Sequence, residues 1–203
     1  MLETKLLIGR YIKFPLPQSP AFVESPSGFQ ALPKTIIYIH ESKGLPFGSK
    51  TIVINDQIGP KTNRQFVWLP WVPLSVTEVD VKGMDVLTGP MSGCAIALYY
   101  RDGFRCIAHI GTDISNPAQN LALKTKWNTF VNASKTAIKA FKPFSATSFI
   151  PAQQPGDGVP EVFGLVAADD SFYSVFTYKS ASGNASRIAD IRQCTPLATA
   201  VLP

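Results

Sequence analysis

Apolar and polar positions alternate with a period of two along much of this chain, the pattern of strands that bury one face. Nine runs rich in β-branched and aromatic residues carry it: 35–40, 51–55, 65–69, 76–81, 94–100, 104–110, 161–167, 172–178 and 186–193. Each is predicted to be a strand, because such side chains fit a pleated, half-buried surface. A helical period occurs once. Asn116 stands where an N-cap belongs, and Pro117 occupies the first helical position, where a missing N–H costs nothing. Leu123, Trp127, Phe130, Val131, Ile138 and Phe141 then recur on one face, until Pro143 stops the helix. This stripe, Trp127 and Phe130 included, reads as core packed on a sheet. The expected fold is therefore an α+β sandwich of mixed, mostly antiparallel β-sheets, with one long helix and short helices packed on the outside.

Composition bounds the picture. The 203 residues suit a single domain, 1–203, and 45% apolar against 16% charged residues supplies a core and excludes disorder. Seventeen prolines and fourteen glycines favour short elements joined by turns. Five of those prolines fall between Pro15 and Pro33, so 15–33 is expected to be an irregular surface segment. The apolar run Leu6-Leu7-Ile8 ends at Gly9-Arg10, too short for a signal-peptide core, and no stretch approaches the ~18 apolar residues of a membrane span. The expectation is a soluble chain with no cleaved leader and no membrane partner.

The formal charge of +5 invites a nucleic-acid reading, but the basic residues are scattered. The densest group is Lys124, Lys126, Lys135, Lys139 and Lys142 in the expected helix, which reads as a solvated face, with a docking surface for an acidic protein partner as the alternative, and not as direct nucleic-acid contact. Cys94, Cys106 and Cys194 are odd in number and lack CxxC spacing, so neither a metal site nor a disulfide framework is expected. No sequence feature calls for a cofactor.

The chemistry lies around Cys94. Asp102-Gly103 sits between two strand-like runs, the signal for a two-residue hairpin turn. In that hairpin Arg101 faces Phe104, paired residue numbers sum to 205, Cys94 faces Gly111, and Ile96 faces His109. Cys94 and His109 then share a sheet face as diagonal neighbours, with Cβ atoms roughly 7–8 Å apart or less. Cys106 falls on the opposite face. Only a thiolate attacks, and an adjacent imidazole can take the thiol proton and return one to a leaving group. Gly93 allows close backbone approach to a substrate carbonyl, and backbone N–H groups at this strand start, around Ser92 and Gly93, are candidates to hold an oxyanion. Gly111 is expected to leave the space above the sulfur open. Cys106, Cys194 and His40 are read as structural or surface residues. From pattern alone the alternative stays open that Cys94 is a small buried hydrophobe.

Ser92-Gly93-Cys94, followed fifteen positions later by a histidine, resembles the catalytic domains of the cytotoxic necrotizing factor toxins. A wider likeness is to the Burkholderia lethal factor, a single-domain toxin of similar length in the same fold family. It takes in a strand ending at His40, the corner Trp68-Leu69-Pro70-Trp71, Ser92-Gly93-Cys94, His109-Ile110, and Ser171-Phe172-Tyr173-Ser174-Val175-Phe176-Thr177-Tyr178 before a Ser/Gly-rich turn. The resemblance implies a cysteine-dependent deamidase that converts a glutamine of a host protein to glutamate, with transglutamination as a side activity. Cys94 would be the nucleophile and His109 the acid–base. Thr88 matches the third position of the lethal factor, which orients the histidine; in the necrotizing factors a backbone carbonyl does so. By the same resemblance the chain would be a monomeric secreted effector acting in host cytoplasm, on a Rho-family GTPase or a translation-initiation RNA helicase. Its Cys-to-His spacing follows the necrotizing factors, and Gly89-Pro90-Met91 departs from the more apolar, aromatic approach of the relatives. The competing readings are a chemoreceptor-type bacterial deamidase and a non-catalytic binding module of the same fold.

Overall fold

The protein is seen in a computed structural model, which describes residues 2–3, 6, 8–13, 21–32, 36–42, 51–55, 65–91, 93–143, 151–181 and 185–203. In chain order the strands are β1 (Tyr11–Lys13), β2 (Val23–Glu24), β3 (Gln30–Ala31), β4 (Ile36–Ser42), β5 (Thr51–Asn55), β6 (Gln65–Pro70) and β7 (Ser75–Val81). They continue with β8 (Asp85–Met91), β9 (Ala95–Arg101) and β10 (Phe104–Gly111). After the helix α1 (Pro117–Ala133) come β11 (Lys139–Phe141), β12 (Asp157–Val166), β13 (Phe172–Ser180) and β14 (Ser186–Cys194).

Two mixed, mostly antiparallel sheets and one helix result, as the alternation and the single helical stripe predict. One sheet closes on itself in the order β1-β14-β13-β12-β8-β6-β4-β5, with parallel pairs only at β1–β5 and β6–β8. The other is open, in the order β11-β9-β10-β7-β3-β2. Closure removes two sheet edges that would otherwise present unpaired backbone groups. No short helix occurs among the described residues, and none of their helices is long and apolar enough to cross a membrane.

Three apolar layers follow from strand alternation. Leu2, Leu6, Ile12, Phe66, Trp68, Leu87, Phe163 and Leu165 fill the barrel. Val67, Leu69, Val86, Val166 and Phe172 from the barrel meet Val79, Ile96, Leu98 and Ile107 from the open sheet, forming a seam between the two. The far face of the open sheet, with Ala95, Ala97, Tyr99, Cys106 and Ala108, packs on Leu123 and Trp127 of α1. Trp127 is fully buried; its indole N–H donates to Ala200 O at 2.9 Å, and its ring lies among Phe29, Tyr99 and Phe130. It is a core residue, as its spacing indicates.

The helix is shorter than predicted. It stops at Ala133, where Ser134 turns extended and its hydroxyl exchanges hydrogen bonds with Thr136, a local competitor to helical pairing. Residues 139–141 form a strand on β9 instead, so Ile138 and Phe141 reach the core by another route. Of the five lysines assigned to one helical face, only Lys124 and Lys126 lie on α1; Lys139 is in β11, and Lys135 and Lys142 flank that strand. Asn116 precedes α1 without capping it through its side chain, which bonds to Asp113. In the proline-rich segment, residues 21–32 include the short hairpin β2–β3, with β3 laid parallel on β7; residues 14–20 and 33 lie outside the described residues.

Candidate active site

The hairpin β9–β10 turns at Asp102-Gly103, both with positive φ, as a two-residue turn of this type requires. Phe104 pairs with Arg101, His109 with Ile96 and Ile110 with Ala95, so every pair sums to 205. The faces follow. Cys94 lies in the seam layer with Ile96 and Ile107, while Cys106 lies in the helix layer, with its thiol near Asp80 Oδ1. His109 is two residues beyond Ile107 on the same face.

Thr88 comes from the other sheet. It sits in the middle of β8, paired with Leu69 of β6 and Gly164 of β12, with its side chain on the same side as that of Val86. Thr88 Oγ1 lies 2.6 Å from His109 Nδ1, and both residues are fully buried. The bond therefore spans the seam between barrel and open sheet. When Nδ1 carries the proton and donates it to Thr88, Nε2 is left with a free lone pair, the tautomer a base requires. Among the described residues Nε2 has no hydrogen-bond partner.

Cys94 is only 2% exposed, yet it forms part of the wall of a cleft of about 320 Å³ together with Trp71, Met91, Thr112, Val159 and Glu161. Its thiol does not bond the histidine. It approaches Thr112 O at 3.7 Å, and Thr112 Oγ1 approaches the sulfur at 3.8 Å. Gly93 is exposed, and a Cβ built there would meet only Thr112 Oγ1, at 3.7 Å, so its backbone is approachable from solvent. Ser92, the other expected oxyanion residue, lies outside the described residues, as does the side chain of His40.

Electrostatics correct the expectation of a ready-made thiolate–imidazole pair. Burial pushes the Cys94 thiol up, against smaller opposing contributions from Thr112, Gly93 and Trp71. Burial alone pushes His109 down to about 3. Both groups are neutral at rest, because the seam excludes the water that would solvate either charge. The space at Gly111 is also filled rather than open: a Cβ there would stand 2.2 Å from Val72 O and 3.1 Å from Ser75 O. The chain after the Trp68–Trp71 corner folds back against β10, and glycine is what lets it do so.

Cys106 and Cys194 are pushed well above the ordinary thiol range, chiefly by burial, Cys194 to about 11. Among the described residues no three His, Cys, Asp or Glu side chains gather as a metal site would need. Thr112 and the cleft wall from β12 escaped the sequence reading. The hairpin register held a signal for Thr112, since 93 and 112 also sum to 205: the ladder ends at Ile110–Ala95, yet a Cβ on Gly93 would still meet Thr112 Oγ1. No protein-family model and no curated protein sequence matches this chain.

Proposed function

We propose that this protein is a cysteine-dependent protein-glutamine deamidase, acting as a toxin or effector on a host protein. The observation that carries the reading is the convergence, in one seam, of a thiol on a cleft wall and a histidine on the same sheet face. Thr88 holds Nδ1 of that histidine, and Nε2 has no hydrogen-bond partner among the described residues. The resemblance to the necrotizing factors and the lethal factor supplies the reaction class.

In this reading a glutamine side chain enters the cleft, and Cys94 Sγ attacks its carboxamide carbon while the thiol proton passes to His109 Nε2. The C–N bond breaks, and His109 returns the proton to departing ammonia, leaving a thioester. Water, deprotonated by the same nitrogen, cleaves the thioester to give glutamate and restore the thiol. An amine in place of water gives transglutamination. Substrate must bring the ionisation about, since both groups rest neutral. A Rho-family GTPase and a translation-initiation RNA helicase are the host targets the resemblance favours, and a chemoreceptor of the bacterium itself is the third.

A second reading, a non-catalytic binding module, draws on one observation: the thiol and Nε2 are not hydrogen-bonded to each other. Mass mapping separates the readings. Host extract treated with the protein should show a gain of about one dalton on a defined glutamine, absent with Cys94→Ser. Identical maps for the two proteins would remove the deamidase reading, and a gain seen only in bacterial extract would favour the chemoreceptor.

A further inference from the structure

We infer that Thr112 is a positioning residue for the nucleophile, holding the Cys94 thiol at rest through its carbonyl and supporting the sulfur through its hydroxyl when the thiol ionises. The assignment rests on the reading of Cys94 as the reactive group, and its geometry is independent of any substrate.

The sulfur meets two unlike groups of one residue. Thr112 O, at 3.7 Å, can only accept, so it suits a neutral S–H and repels a thiolate. Thr112 Oγ1, at 3.8 Å, can donate, and a hydroxyl donor bonds a charged acceptor more strongly than a neutral one. The backbone at Thr112 is itself fixed, since its N–H donates to Ile110 O at 3.1 Å. Meanwhile His109 Nε2, fully buried, has no partner among the described residues. When the S–H proton moves to Nε2, the carbonyl contact turns from attractive to repulsive while the hydroxyl contact strengthens. The sulfur then leaves the carbonyl side and turns toward the imidazolium. One threonine thus meets both states of the thiol: its carbonyl accepts from the S–H, while its hydroxyl, together with a backbone hydrogen bond, favours the proton gone.

The charged and titratable groups around the sulfur are few. His109 shares its sheet face on β10, and Glu161 of β12 shares the cleft; the Trp71 side chain, from the β6–β7 corner, and the Gly93 backbone bond the sulfur as well, with smaller effects than Thr112. Loss of the Thr112 hydroxyl is therefore not hidden by a nearby cation among the described residues.

The test is the rate at which iodoacetamide alkylates Cys94 in the full chain, read by peptide mass so that Cys106 and Cys194 are scored apart, across a pH series. Thr112→Val keeps the carbonyl and the volume but removes the hydroxyl. Its alkylation should slow about tenfold at neutral pH, with the midpoint moved up by about one unit. Thr112→Ser, which keeps the hydroxyl, should recover most of the rate. Should Thr112→Val not fold, Thr112→Ala makes the same comparison without a methyl beside the sulfur. Profiles for the hydroxyl-less variants that superimpose on that of the unmodified protein, or lie above it, overturn the assignment. Iodoacetamide needs no glutamine recognition, so a protein that deamidates nothing yet shows the shift loses the deamidase reading and keeps Thr112 in this role.

Discussion

His109 should make this protein lose stability in mild acid, and by a calculable amount. The imidazole is fully buried, its Nε2 has no partner among the described residues, and burial lowers its titration from an ordinary 6.5 to about 3. The folded protein therefore refuses a proton that the unfolded chain accepts below about pH 6.5. Stability is whole above that value and falls as pH drops toward the folded value, because the unfolded state binds more protons across the interval. From about pH 7.5 to about pH 5 the unfolded chain gains about 1.5 pH units of protonation free energy at this residue, or about 2 kcal/mol. With a urea dependence of about 2 kcal/mol per molar, the midpoint should fall by about 1 M. Urea unfolding at the two pH values, for the unmodified protein and for His109→Gln, isolates the effect, since every other titrating group is common to both. Equal losses in the two proteins would refute the reasoning and mean that the ring is solvated or paired in the folded state.

Thr88→Val removes the partner of His109 Nδ1 while keeping shape, and should lower ammonia release from the mapped glutamine substrate by about 10- to 100-fold, with Thr88→Ser restoring it. Gly111→Ala places a Cβ against two backbone carbonyls that cannot swing aside, and should cost about 3 kcal/mol in urea unfolding. Arg101→Ala strips the Arg101 guanidinium from Glu78, whose side chain has no exposure; the loss should be about 3–5 kcal/mol, and adding Glu78→Gln should recover most of it.

The hairpin at the heart of the site is legible because a two-residue turn leaves no freedom of register: once Asp102-Gly103 is the turn, every partner and every face follows. The strand that brings Thr88 is another matter. Asp85–Met91 contains Gly89-Pro90, residues that argue against a strand interior, so only resemblance pointed to Thr88. Residues 139–141 misled in the opposite sense, because Ile138 and Phe141 continue the helical spacing while β9 offers them a free edge. Local pattern cannot see such an offer. Closure of the barrel is equally hidden, since it depends on a three-residue strand, β1, lying between β14 and β5, which are far from it in sequence. The resting charge state at Cys94 is hidden for a related reason: pairing a thiol with an imidazole is visible in the register, whereas the dryness of the layer they share is a property of the whole fold.

The Thr88–His109 bond joins two separately hydrogen-bonded sheets, so the orientation of the ring depends on how the layers are stacked. A lateral slip of one ångström would leave each sheet's backbone ladder intact and still free the ring to rotate. In the proposed deamidase, activity is then a gauge of layer alignment, and heat or denaturant should abolish it before circular dichroism records any loss of strand.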